Sequence, residues 1–130
     1  MISAAVDEIF EVADFLASAA NSREAYVRSA VSRYYYSAYT SARAVESKVK
    51  ADKTYSAMGA HMRVINKLLD YDGPDKSLFV KIGTELRRLK AVRSRADYNF
   101  ENPVTTRTLI ESKERAQRII ELCAMAHRKL

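Results

Sequence analysis

The 130-residue chain has the length of one domain, and with 48% hydrophobic residues it can bury a core without disulfides or a structural metal. Its net charge of +6, from 22 basic and 16 acidic residues, favours polyanionic partners such as RNA or DNA without requiring one. Three Gly and two Pro argue for long helices over many short strands, and a single Cys excludes an internal disulfide.

The first predicted helix runs from about Ile2 to Ala20. Ile2, Val6, Ile9, Ala13, Leu16 and Ala20 recur at steps of three and four, which makes one face of a helix. Asp7, Glu8, Glu11 and Asp14 lie largely on the other face and suit the positive end of the helix dipole. This acidic opening has no basic start followed by an apolar run, so it does not read as a secretory leader. Asn21-Ser22 breaks the pattern, with Ser22 as the expected N-cap of the next helix.

The second helix is expected from about Arg23 to Ala51. Val27, Val31, Tyr34, Ala38, Val45 and Val49 form its apolar stripe, widened by Tyr35 and Tyr39 on one flank and by Ala30 and Tyr26 on the other. A stripe that wide implies several neighbours and therefore a central helix. Ser29, Arg33, Tyr36, Thr40, Arg43 and Ser47 make the narrow remaining face. The third helix is expected from about Ser56 to Tyr71, with Met58, Met62, Ile65, Leu68 and Leu69 inward, and Asp72-Gly73-Pro74-Asp75 is a turn that ends it.

The fourth helix is expected from about Lys76 to Ala96, with Leu78, Ile82, Leu86 and Leu89 as its stripe. The next step of four lands on Arg93, where an apolar residue is due. This helix is strongly basic, with Lys81, Arg87, Arg88, Lys90, Arg93 and Arg95 against Glu85 alone. The fifth runs from about Thr105 to the C-terminus, capped by Thr105 or Thr106, with Leu109, Ala116, Ile119, Cys123 and Leu130 inward. Cys123 sits at core spacing with Ile119, Ile120 and Ala126 and reads as a small buried residue. No segment alternates with period two, so the expected architecture is an all-α up-and-down bundle of about five helices in one domain spanning residues 1–130. No apolar run approaches the roughly 20 residues a membrane span needs, and the expected location is the cytoplasm.

Most catalytic chemistry is missing. Gly59, Gly73 and Gly83 are isolated, which excludes Gly-rich phosphate loops. Two His and one Cys make no convincing zinc set without carboxylates, so neither metal nor cofactor is expected. Two constellations remain. One is Arg28-Ser29-Ala30-Val31-Ser32-Arg33-Tyr34-Tyr35-Tyr36-Ser37-Ala38-Tyr39, with four Tyr in six residues. Tyr34, Tyr35 and Tyr39 read as core rings with hydroxyls at the wet edge, whereas Arg33 and Tyr36 either meet a partner helix, stack on bases or face water. The other is Arg93-Ser94-Arg95-Ala96-Asp97-Tyr98. A charge on an apolar stripe demands a partner, either Asp97 one turn on or a phosphate in a cleft.

These strings resemble a HEPN domain, a family of dimeric helical domains linked to RNA cleavage and to toxin–antitoxin or host-defence systems. Ser32-Arg33-Tyr34-Tyr35-Tyr36-Ser37-Ala38-Tyr39 resembles the family's Ser-Arg-x-Tyr-Tyr helix, and Arg93 to Tyr98 resembles the Arg-x-x-Ala-Asp-Tyr ending of one branch, with His61, Ile65 and Leu68 between them. The resemblance covers nearly the whole chain after the first helix. It implies a homodimer in which Arg93 takes the place of the family's catalytic Arg. The ribonuclease members follow that Arg by His four to six residues later. Here four residues intervene and Tyr98 follows, with no His between Arg93 and Leu109.

Imidazole can take or give a proton near neutrality, whereas phenol, with a pKa of about 10, is a poor base. The candidate catalytic set is therefore Arg93, Asp97, Tyr98 and His61, with His61 as the substitute imidazole only if the fold brings it to Arg93. Otherwise His61 is a partly exposed residue at a helix start, and His127 reads as a solvated C-terminal cation. The candidate RNA- or partner-binding residues are Arg33, Tyr36, Arg43, Arg88, Lys90 and Arg95. The favoured expectation is a weakly catalytic or non-catalytic HEPN-like module that binds RNA or a partner protein through a basic dimer face. The alternatives are a metal-independent ribonuclease toxin with a degenerate site, and a structural partner of a minimal nucleotidyltransferase or other antitoxin protein.

Overall fold

Five helices follow one another: α1 (Ile2–Ala19), α2 (Glu24–Glu46), α3 (Ala60–Leu69), α4 (Lys76–Tyr98) and α5 (Thr106–Lys129). The computed structural model describes residues 2–50, 55 and 58–130, and among these there is no strand. No helix of the described residues is long and apolar enough to cross a membrane.

As its broad apolar stripe predicts, α2 is the hub and packs against each of the other four helices. Val27, Ala30, Val31, Tyr34, Tyr35, Ala38 and Val45 are all buried to within 2%. From α4, Phe79, Ile82, Leu86 and Leu89 meet Ile119 and Cys123 of α5 and Ile65 and Leu68 of α3 in one continuous core. Each such side chain contributes roughly 1.5–3 kcal/mol by leaving water. Burial pushes the Cys123 thiol up to about 12, so it stays protonated and inert at neutral pH.

Several local expectations are corrected. Ser22 does not cap α2. It adopts φ 62°, and the N-cap is Arg23, whose side chain instead bonds back to the carbonyls of Ala19 and Ala20. Tyr26 stays exposed under the Arg23 guanidinium rather than widening the stripe. α2 stops at Glu46 instead of continuing to Ala51, with Ser47 and Lys48 in a turn, and Ala51 itself lies outside the described residues. The expected start of α3 at Ser56 also lies outside them. Met58 precedes the helix and is exposed rather than inward. Leu130, past the last turn of α5, is exposed as well. The expected inward placement of Ile2 falls on a side chain outside the described set. Thr105 is the cap of α5, its hydroxyl accepting from the Thr108 N–H.

α3 and α4 run antiparallel and touch closely because Gly83 carries no side chain. A Cβ there would stand 3.1 Å from the Ile65 carbonyl oxygen and 3.1 Å from Leu69. A backbone oxygen yields little, so Gly83→Val should destabilise the protein by about 2–3 kcal/mol. Urea denaturation would check this, and an unchanged midpoint would mean that the two helices separate freely.

Candidate anion-binding site at Arg93

Arg93 stands on the core-facing side of α4, one turn beyond Leu89, and only 7% of it is exposed. Its Nη1 donates to Asp97 Oδ2 at 3.3 Å, and the Ser32 hydroxyl donates to the same oxygen at 3.2 Å. The guanidinium carbon lies 5.0 Å from the centre of the Tyr35 ring and 5.4 Å from that of Tyr36. Burial works against its charge, but Tyr36, Asp97 and Tyr35 outweigh that cost and keep it a cation. Its Nε is buried with no hydrogen-bond partner. An orphaned N–H of this kind costs about 1–3 kcal/mol, which an incoming acceptor would recover.

His61, at the start of α3, shares this neighbourhood. The hydroxyl of Tyr35 meets His61 Nδ1 at 2.6 Å, and the imidazole stacks on Tyr39 at 4.0 Å with its edge toward Tyr36. The fold thus brings His61 and Arg93 to one residue, Tyr35. Burial pushes the Tyr35 hydroxyl well above the ordinary phenol value, so it keeps its proton. The hydroxyl thus ties α2 to the start of α3 through Nδ1 and leaves the other ring nitrogen, Nε2, outside that bond.

Burial holds the imidazole below its ordinary pKa, and the nearby Arg93 and Lys90 push it the same way. Between the ordinary value near 6.5 and the depressed folded value, the unfolded chain takes up the proton first. Stability therefore falls as pH drops through that window. An anion bound beside Arg93 and Lys90 would reverse the electrostatic part of the shift. NMR titration should show the His61 pKa rising when polyanion is added, and affinity increasing from pH 7 to pH 6. An unmoved His61 pKa at saturation would place the anion elsewhere.

The remaining predicted residues divide. Arg33 lies 4.7 Å over the Tyr36 ring, and Lys90 is half-buried, so both join the Arg93 neighbourhood. Arg43 and Arg95 are exposed, and neither makes an ion pair among the described residues. Arg88 belongs to another cluster, on the α4–α5 side, where it shares buried Glu85 with Arg115 and Arg118. Tyr98 is 75% exposed and makes no ring or hydrogen-bond contact with Arg93 or His61.

One residue at the heart of the arrangement was not among the candidates. Arg28 is 5% exposed on α2. Its Nη1 donates to the carbonyls of Arg95, Ala96 and Asn99, and its Nη2 to that of Asn102 and to Glu24. Arg95 and Ala96 lie in the last turn of α4, and Asn99 and Asn102 in the turn that follows it. Arg28 therefore closes α4 and fixes the turn that carries Asp97. A usable signal was its place one turn before Ser32 on the same helical face.

The site gathers three cations, Arg33, Lys90 and Arg93, with the buried Arg93 Nε lacking an acceptor. Its carboxylate is already engaged. Such a set suits an anion. Among the described residues no group of three or more His, Cys, Asp or Glu side chains could hold a metal ion. No known protein family, curated protein or solved structure matches the chain.

Proposed function

We propose that this chain is a HEPN-like RNA-binding module, acting in the cytoplasm as a homodimer within a toxin–antitoxin or host-defence type system. It grips the phosphate backbone at Arg93 and cleaves it weakly or not at all. The observation that carries this reading is the buried Arg93 guanidinium with its Nε unpartnered, beside the His61 imidazole. The motif resemblance supports the dimer and the biological setting. The motif supports binding over cleavage, since Tyr98 follows Arg93 where the ribonuclease members carry His, and phenol is a poor base.

Gel-shift titration with mixed-sequence single-stranded RNA, repeated across salt concentrations, tests the proposal. Three cationic contacts at Arg33, Lys90 and Arg93 give a slope of about −2 in log affinity against log salt. No binding at low salt, or binding indifferent to salt, removes the nucleic-acid reading.

One observation favours a second reading, weak metal-independent ribonuclease activity: His61 lies close enough to Arg93 to share Tyr35 with it. The His61 Nε2, outside the bond to Tyr35, is the ring nitrogen available to exchange a proton. Incubation of RNA with the protein in chelator decides this. Cleavage lost in both His61→Ala and Arg93→Ala would establish the ribonuclease, and intact RNA would leave the binding module.

A further inference from the structure

We propose that the groove between α1 and α5 docks a basic amphipathic helix of a partner protein. Both helices lean on α2, leaving a groove of about 300 Å³ between them. Tyr34 forms part of its lining, with Ala17 from α1 and Leu109 and Ile110 from α5. Ile110 is 53% exposed. With Ala17, Tyr34 and Leu109 it gives the groove an apolar lining suited to an apolar ridge.

Charge identifies the occupant. α1 carries Asp7, Glu8, Glu11 and Asp14 and no Lys or Arg, although the chain as a whole is +6. Asp14 lines the groove, and Asp7 and Glu11 continue its line at steps of three and four along the helix. Asp7, Glu8 and Glu11 make no ion pair among the described residues. Asp14 takes both the Tyr34 hydroxyl and the Lys113 ammonium on Oδ1, so its Oδ2 remains to accept from an arriving cation. The acidic rim repels RNA. It also repels a second copy of the chain docking through the same face, since that would set two acidic α1 helices together. A helix with an apolar ridge flanked by Lys or Arg meets both the groove and the rim.

The test uses two synthetic helical peptides of about 16 residues, one of Leu, Ala and Lys and one with Glu at every Lys position. Binding of each labelled peptide is followed by fluorescence anisotropy. The Lys peptide is expected to bind with a Kd in the micromolar range, and the Glu peptide not to saturate below about 100 µM. Ile110→Asp and the double change Asp7→Lys with Glu11→Lys should each weaken the Lys peptide at least about tenfold. These are surface positions, and unchanged circular dichroism would confirm that the variants fold. Three results overturn the proposal: no saturable binding of the Lys peptide, equal binding of both peptides, or undiminished binding by the variants. A concentration-dependent dimer in sedimentation that Ile110→Asp dissolves would also overturn it, by making the occupant a second copy.

Discussion

Arg28→Ala should lower stability by about 3–4 kcal/mol, the largest loss expected from any single polar substitution in this protein. The change removes five hydrogen bonds at once, four of them to the carbonyls at 95, 96, 99 and 102. The Ala96 carbonyl is buried with its bond, so water replaces the guanidinium there only if the end of α4 opens. In a chain this size the loss corresponds to a fall of roughly 10–15 °C in Tm. Arg28→Lys should recover little, because one ammonium cannot span four carbonyls from a single position. Thermal and urea denaturation measure both variants. A loss under about 1 kcal/mol would show that α4 closes without Arg28, and that the turn bearing Asp97 is held by other contacts. RNA affinity should fall together with stability, since Asp97 and Arg93 share that last stretch of helix.

Arg93→Ala has the largest expected effect on binding. It removes a cation that lies against both Tyr35 and Tyr36, and RNA affinity should fall at least about tenfold, or about 1.4 kcal/mol. Arg93→Lys separates charge from shape. A lysine keeps the cation but loses the Nε donor and the flat face against the two rings, so most of the loss should persist at low salt. Stability changes differently. Removing the guanidinium strands Asp97 with Ser32 alone but also removes a buried charge with an orphaned N–H, so the net change should stay within about 1–2 kcal/mol. Filter binding and denaturation on the same samples give both numbers. If Arg93→Ala binds RNA as tightly as the parent, Arg93 is a structural ion-pair partner of Asp97 and the anion site at this position does not exist.

Binary patterning made the architecture readable before any coordinates. Apolar residues at steps of three and four gave five helices, and the unusual width of the α2 stripe marked that helix as central. The anomaly at Arg93 was also visible, because a charged residue where the α4 stripe is due breaks a strict rule. Boundaries were read less well. α2 ends at Glu46 although Val49 continues the spacing and is buried, because a turn can carry a side chain back to the core without helical backbone. Periodicity registers direction, not backbone conformation.

What only the tertiary structure decided was which polar groups meet. Arg28 and Asn102 are 74 positions apart, and Tyr35 and His61 are 26 apart. No local pattern encodes such pairs, since their meeting depends on how α2 crosses α4 and α3. The sequence determined that a cation would be buried near the end of α4. The packing of three helices determined that Tyr35 would meet both the guanidinium, across its ring face, and the imidazole, through its hydroxyl. Hydrophobic burial is written along each helix separately, whereas hydrogen bonds between helices exist only once the helices are in place.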